Sequence, residues 1–176
     1  MLKRKIRNLL NLREDLSFSF YVIDFIFRKM LRQNKGVKWA IHHSSTIRCP
    51  ERLEFGEGCW PGDSPNVYIN AINGISIGHY TNLGPNVSII SANHDFVNNR
   101  QHTQAASIKI GNYCWLGSGA VVLPEVCLGD FTVVGAGAIV TKNFEEGYCV
   151  LAGNPAKIIK YLNKDNCLLF AKTSQA

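Results

Sequence analysis

Two periods divide the chain. Over residues 1–33, where neither Gly nor Pro occurs, apolar side chains recur at intervals of three and four: Leu9, Leu12, Leu16, Phe20, Ile23, Phe27, Met30 and Leu31. That spacing predicts an amphipathic helical arm, with Gly36 as a suitable stop. From Ile47 onward the helical interval disappears and a period of six replaces it. Ile110-Gly111, Leu116-Gly117, Val122-Leu123, Leu128-Gly129, Val134-Gly135 and Val140-Thr141 follow one another at six-residue steps. The positions four after each apolar residue are Cys114, Ala120, Val126, Thr132, Ala138 and Phe144, almost all small or apolar. An earlier stretch in another phase runs Ile77-Gly78, Leu83-Gly84 and Ile89, with fainter echoes at Ile47 and Leu53. Recurrence at six residues is the signature of a parallel β-helix. Each hexad supplies one short strand whose aliphatic side chain points inward, and one corner where Gly, Asn or Asp takes the turn. Three hexads close a triangular coil, and stacked coils bury one continuous apolar column. About five coils are expected.

The two phases do not join in register. Ile89 and Ile110 are 21 residues apart, which is not a multiple of six, so the segment SANHDFVNNRQHTQAASIK at 91–109 must leave the prism. The predicted loop, at about 93–107, is polar and carries His94 and His102. Excursions from a rigid scaffold are where functional groups concentrate. The expected division is a basic helical arm over 1–40, a β-helix over 41–154, and a C-terminal helix and tail over 155–176, with the helix near 155–170.

Composition refines this picture. A chain of 176 residues, 46% apolar and 18% charged, is a single folded domain. Its formal charge of +6 is unevenly placed: residues 1–38 hold ten Lys or Arg against three acids, and residues 39–176 hold nine against ten. A nucleic-acid-binding domain carries its basic footprint on its folded face, so a positive arm on a neutral body argues against that class. Six cysteines without a C-x-x-C pair read as reduced thiols, as in a cytoplasmic protein. The run from Leu16 to Phe27 contains Asp24 and is too short to span a bilayer. Arg28, Lys29 and Arg32 follow it where a signal peptide would need small residues. Two readings of the arm stand: its apolar side packs on the body or a neighbouring subunit, or its basic side rests on an anionic membrane surface.

Three segments carry a family resemblance: ISIGHYTNLGPNVSIISANHDF at 75–96, IKIGNYCWLGSGAVVLPEVCLGDFTVVGAGAIVTKNF at 108–144 and AGNPAKIIK at 152–160. Over about residues 47–162 the chain resembles the left-handed β-helix hexapeptide-repeat acyltransferases. More narrowly, it resembles the branch that holds maltose, galactoside and Nod-factor acetyltransferases, xenobiotic acetyltransferases and the sugar O-acetyltransferases of surface polysaccharides. The resemblance implies a left-handed coil and a homotrimer with donor tunnels between adjacent prisms. It also implies acetyl transfer from acetyl-CoA to a sugar hydroxyl, in surface polysaccharide synthesis. A xenobiotic O-acetyltransferase is the enzymatic alternative. The alternative of another class is a non-catalytic β-helix scaffold recruited by its basic arm.

A hydroxyl attacks a thioester poorly unless its proton is removed as the bond forms, a task suited to a neutral imidazole. The resemblance assigns that base to His94, with Asp95 or a backbone carbonyl as candidates to orient its ring. It places an oxyanion-binding N–H around Gly117 and Ser118. Cys114 is the competing nucleophile, but its inward hexad position favours core packing. For coenzyme A, the matching positions are Ser118 and Ala136 along the pantetheine, Thr141 and Lys142 at its outer part, and Lys157 and Lys160 near the phosphates. Trp115 is expected either to wall the tunnel or to pack between subunits. Asn66, Asn70 and Asp63 are acceptor candidates within WPGDSPNVYINAIN, a run that departs from the family pattern. His79 reads as a corner residue, and no histidine pair has zinc-site spacing, so no metal is expected.

Overall fold

The computed structural model describes residues 12, 13 and 15–174. The first part of the predicted arm, residues 1–11, therefore lies outside the described residues, as does residue 14. Helix α1 (Phe18–Phe25) starts at Ser17, whose hydroxyl accepts the Phe20 N–H at 3.1 Å as an N-cap. It runs into a π-helical segment, Ile26–Met30.

The prism has three faces. Face A stacks β1 (Thr46–Arg48), β3 (Tyr68–Asn70), β6 (Ser88–Ile90), β9 (Val121–Val122) and β12 (Ile139–Val140). Face B stacks β2 (Leu53–Phe55), β4 (Ile75–Ile77), β7 (Ile108–Ile110) and β10 (Cys127–Leu128). Face C stacks β5 (Asn82–Leu83), β8 (Trp115–Leu116), β11 (Thr132–Val134), β13 (Cys149–Ala152) and β14 (Lys157–Tyr161). Every pairing is parallel except β13 with β14.

The hexad pattern becomes the core directly. Ile110, Leu116, Val122, Leu128, Val134 and Val140 are all buried, as are Cys114, Ala120, Val126, Thr132 and Ala138. The Thr132 hydroxyl satisfies itself on the Gly129 carbonyl at 2.7 Å, so a polar residue is tolerated in the column. At the corner between faces B and C, Tyr113 stacks on Phe131 with centroids 4.8 Å apart, and Phe131 on Tyr148 at 5.6 Å. Gly147 marks one tight corner: φ is +66°, and a Cβ there would collide with the Asp130 carbonyl.

The excursion appears where the phase changes. Ser88 pairs with Val121 across 33 residues, whereas Val121 pairs with Ile139 across 18, one regular coil. The additional residues form the loop between β6 and β7.

One expectation is corrected at the C-terminal end. Residues 157–161 are not helical but form β14, folding back on the otherwise open edge of β13. The C-terminal helix α2 is confined to Lys164–Thr173, with Asn163 accepting the Asn166 N–H at 2.9 Å. At the other end, the apolar stripe is divided, with Phe20 and Phe27 lying against His42 and His43. Asp24 faces the prism and is 4% exposed, while Ile23, Met30 and Leu31 point away from it. Asp24 is paired with Arg28 Nη2 at 2.6 Å and accepts the Ile41 N–H at 3.1 Å, while Arg28 Nη1 donates to the Val37 carbonyl at 2.8 Å. A buried carboxylate is tolerated when it is paired and hydrogen-bonded in this way.

Candidate active site

The loop after β6 is tied down at its base. Asn73 Nδ2 donates to the Ser91 carbonyl at 2.9 Å and to the Thr103 carbonyl at 3.0 Å, bringing both ends of the loop onto the coil below. The strands of the loop pair through an antiparallel bridge between His94 and His102. The bond from Asp95 N–H to the Gln101 carbonyl, 2.9 Å, extends that pairing. The two imidazoles consequently lie face to face, with centroids 4.4 Å apart at a tilt of 40°. His94 is exposed, and its ring makes no hydrogen bond to another described residue. His102 Nδ1 is buried and has no hydrogen-bond partner among the described residues.

Asp95 does not hold the His94 ring. Its Oδ1 accepts the N–H groups of Val97 at 2.9 Å and Asn98 at 2.7 Å, an Asx turn that shapes the loop tip. Those N–H groups hold the carboxyl below the usual aspartate range, the Asn98 bond contributing most. The ring beside His94 is His102, which sequence reasoning located in the loop but gave no role. The available signal was a second His eight residues on in the same polar segment.

The remaining candidates divide between corners of the prism. Thr141 and Lys142 leave β12 at the corner between faces A and B, the corner from which the loop departs two coils earlier. At a strand spacing of about 4.8 Å, that places them roughly 10 Å along the prism axis. Asn70 belongs to this corner too, but it is buried. Its carbonyl accepts the Ser91 N–H and hydroxyl, and its Oδ1 holds the Ile72 N–H, so it supports the loop from below.

Ser118 and Ala136 lie at the corner between faces C and A, one coil apart, where the Gly137 N–H donates to the Ser118 carbonyl at 2.9 Å. Asn66 occupies the same corner lower down, with Nδ2 3.2 Å from Asn86 Oδ1. Of the two expected oxyanion donors, the Gly117 N–H is taken by the Val134 carbonyl at 2.7 Å. No such bond engages the Ser118 N–H among the described residues. Trp115 is 57% exposed on face C and walls a groove of about 320 Å³ with Tyr113, Phe131 and Phe170. Lys157 and Lys160 project from β14 at the end of the same face.

Three residues have other occupations. Cys114 is buried in the column with its sulfur 3.3 Å from the Gly129 carbonyl, and burial pushes its thiol up to about 12, far from a ready thiolate. Asp63 accepts Arg13 Nη1 at 2.8 Å. His79 Nδ1 accepts the Glu57 N–H at 3.0 Å, as a corner residue.

The comparisons agree with this architecture. The family model described as bacterial transferase hexapeptide (six repeats) matches residues 107–142, the stretch in which every sixth residue is buried in the column. Residues 107–142 are hexapeptide repeats of the bacterial transferase type. The chain's hexapeptide coils form a left-handed β-helix like that of a maltose O-acetyltransferase from Clostridium difficile 630. The two share 27% identity over 92% of this chain and 84% of that one, with a TM-score of 0.63. AntD, an N-acyltransferase from Bacillus cereus solved with dTDP and coenzyme A, has the same fold at 15% identity. Its TM-score is 0.64, covering 78% of this chain and 88% of that one. Among curated proteins, WcaF of Escherichia coli (strain K12), named as a colanic acid biosynthesis acetyltransferase, is 34% identical over 91 residues. The match covers 52% of this chain and 49% of WcaF. Nodulation protein L of Rhizobium leguminosarum bv. viciae is 33% identical over 96 residues, 49% of this chain and 50% of that protein. The hexapeptide-repeat chain thus spans about half the length of the curated relatives it matches. Among its described residues, no helix is long and apolar enough to cross a membrane.

Proposed function

We propose that the protein is an acetyl-CoA-dependent O-acetyltransferase acting on a sugar hydroxyl, in the synthesis of surface polysaccharide in the cytoplasm. The observation that carries this reading is His94: an imidazole unbonded to other described residues, on a loop clamped to a rigid prism, in a chain similar to WcaF and to a maltose O-acetyltransferase. His94 removes the acceptor proton as the hydroxyl oxygen bonds the thioester carbon. The resulting oxyanion is met by the Ser118 N–H. Collapse breaks the C–S bond, and the coenzyme A thiolate takes the proton back from the imidazolium. Ser118 and Ala136 line the pantetheine, with Trp115 as a wall. Thr141 and Lys142 meet its outer part, and Lys157 and Lys160 lie near the phosphates.

This reaction needs two copies of the chain. The corner bearing His94 and the corner bearing Ser118 are separated by the width of face A, about four extended residues or roughly 13 Å, beyond the reach of one transition state. A homotrimer that sets the first corner of one prism against the second corner of the next supplies both groups. The loop tip supports that arrangement: Phe96 and Val97 are each 97% exposed in the single chain, apolar surface suited to a neighbour or an acceptor.

The test is thiol release from acetyl-CoA in the presence of a saccharide panel and, separately, of hydroxyl-bearing antibiotics, with products weighed by mass spectrometry. Acetylation of a saccharide hydroxyl is expected. Acetylation of the antibiotics alone would overturn the acceptor class, and no thiol release with any acceptor would favour a non-catalytic scaffold.

A further inference from the structure

We propose that the outward side of α1 and the segment after it form a docking surface for an anionic phospholipid bilayer. The helix is fastened to the prism by one side that mixes an ion pair with two aromatic rings. Asp24 and Arg28 are bonded to Ile41 and Val37, and the rings of Phe20 and Phe27 lie against His42 and His43 at 6.2 and 5.0 Å. With that side committed, helical geometry turns the opposite side to solvent. Phe18, Val22 and Phe25 line it, followed by Ile26, Met30 and Leu31, and Met30 is 66% exposed. Soluble helices usually present the reverse arrangement.

The cations beside this apolar strip select its partner. Arg28, Lys29, Arg32 and Lys35 line a hollow of about 230 Å³ at the C-terminal end of the strip, with Asn34 beside them. Lys38 is exposed just beyond. No acid stands free on this side among the described residues: Asp24 is buried in its pair with Arg28, and Asp15 is paired with Arg13. Apolar side chains enter the acyl boundary while Lys and Arg meet anionic headgroups, the combination that holds an interfacial helix on a membrane. The cations around the hollow suit the phosphate of a headgroup, and the apolar strip suits the chains attached to it. A second copy presenting the same surface would bring the two cationic hollows together. A bilayer of anionic lipid brings opposite charge.

The proposal does not depend on the reaction above, and its test uses the full chain. The chain is sedimented with vesicles of phosphatidylglycerol and phosphatidylcholine, and with phosphatidylcholine alone. Binding to the anionic vesicles only is expected. K29Q/R32Q is expected to weaken it roughly 30-fold at low salt, on a scale of about 1 kcal/mol per cation near the surface. F25S/M30S is expected to lower it as well. All four positions are exposed, so both variants should keep the wild-type melting temperature and thiol release with a soluble acceptor.

Failure of the wild-type chain to bind anionic vesicles would overturn the proposal, as would equal binding to phosphatidylcholine or unchanged affinity of both variants. Full displacement from vesicles by soluble glycerol phosphate would identify a free-anion site instead. A lower oligomer mass for F25S/M30S, with no vesicle binding by the wild type, would identify the strip as a subunit interface.

Discussion

The stacked coils and the loop over 91–107 are built from neighbouring stretches of one chain, yet different forces specify them. In the coils, each residue repeats the environment of the residue one turn earlier, so a side chain at an inward position is enclosed by aliphatic neighbours above and below. In the loop no position repeats. Its shape rests on a few bonds, from Asn73 to the loop ends and from the Asp95 carboxylate to two turn N–H groups. The difference teaches where change is costly: the inward positions of the coils carry the stability, and the loop carries little of it.

Substitutions that separate the two sharpen the contrast. Leu116→Ala empties a fully enclosed position in the column and should cost about 2–5 kcal/mol. That lowers the melting temperature by several degrees while residual folded protein keeps its turnover per site. His102→Ala should do the reverse: turnover falls by roughly 10–100-fold, the scale for a group that orients a functional histidine, with the melting temperature within a degree or two of wild type. Equal losses of stability in the two variants would erase the distinction. Asp95→Ala should act more gently, speeding amide exchange at Val97 and Asn98 and lowering turnover without a measurable shift in melting.

The Asp95 carboxyl also gives the loop a pH dependence. Its value is depressed in the folded state, so its contribution is complete above the ordinary aspartate pKa of about 3.9. It is lost as pH falls through the lower folded value. Amide exchange at Val97 should therefore become less protected only in acid, and Asp95→Ala should abolish that acid step. The smallest effect is expected at Val22, exposed on α1: Val22→Ala should change stability by no more than about 0.5 kcal/mol.

What was legible in the sequence follows from the same contrast. The inward residues from Ile110 to Val140 could be named before any coordinates because a six-residue period has one way to bury its apolar positions. The loop was legible only as a remainder, the step of 21 from Ile89 to Ile110 that six does not divide. Its internal arrangement was not, since the bridge from His94 to His102 depends on backbone pairing that no periodicity encodes. The orientation of α1 was hidden for another reason. Its apolar positions read as one stripe, but the pairing of Asp24 with Arg28 and the Ile41 N–H divides it, leaving Phe20 and Phe27 against the body and Ile23, Met30 and Leu31 exposed. β14 falls within the helix expected near 155–170 because an open strand edge on β13 exists only after the coils have formed.

The functional account depends most on His94. The decisive measurement is thiol release from acetyl-CoA with an acetylated saccharide as product, comparing wild type with His94→Ala at equal folded protein. Loss of a positioned base predicts a fall of about 10²–10⁴-fold in kcat, with the melting temperature and coenzyme A affinity unchanged. Full turnover by His94→Ala on the same acceptor would contradict the account.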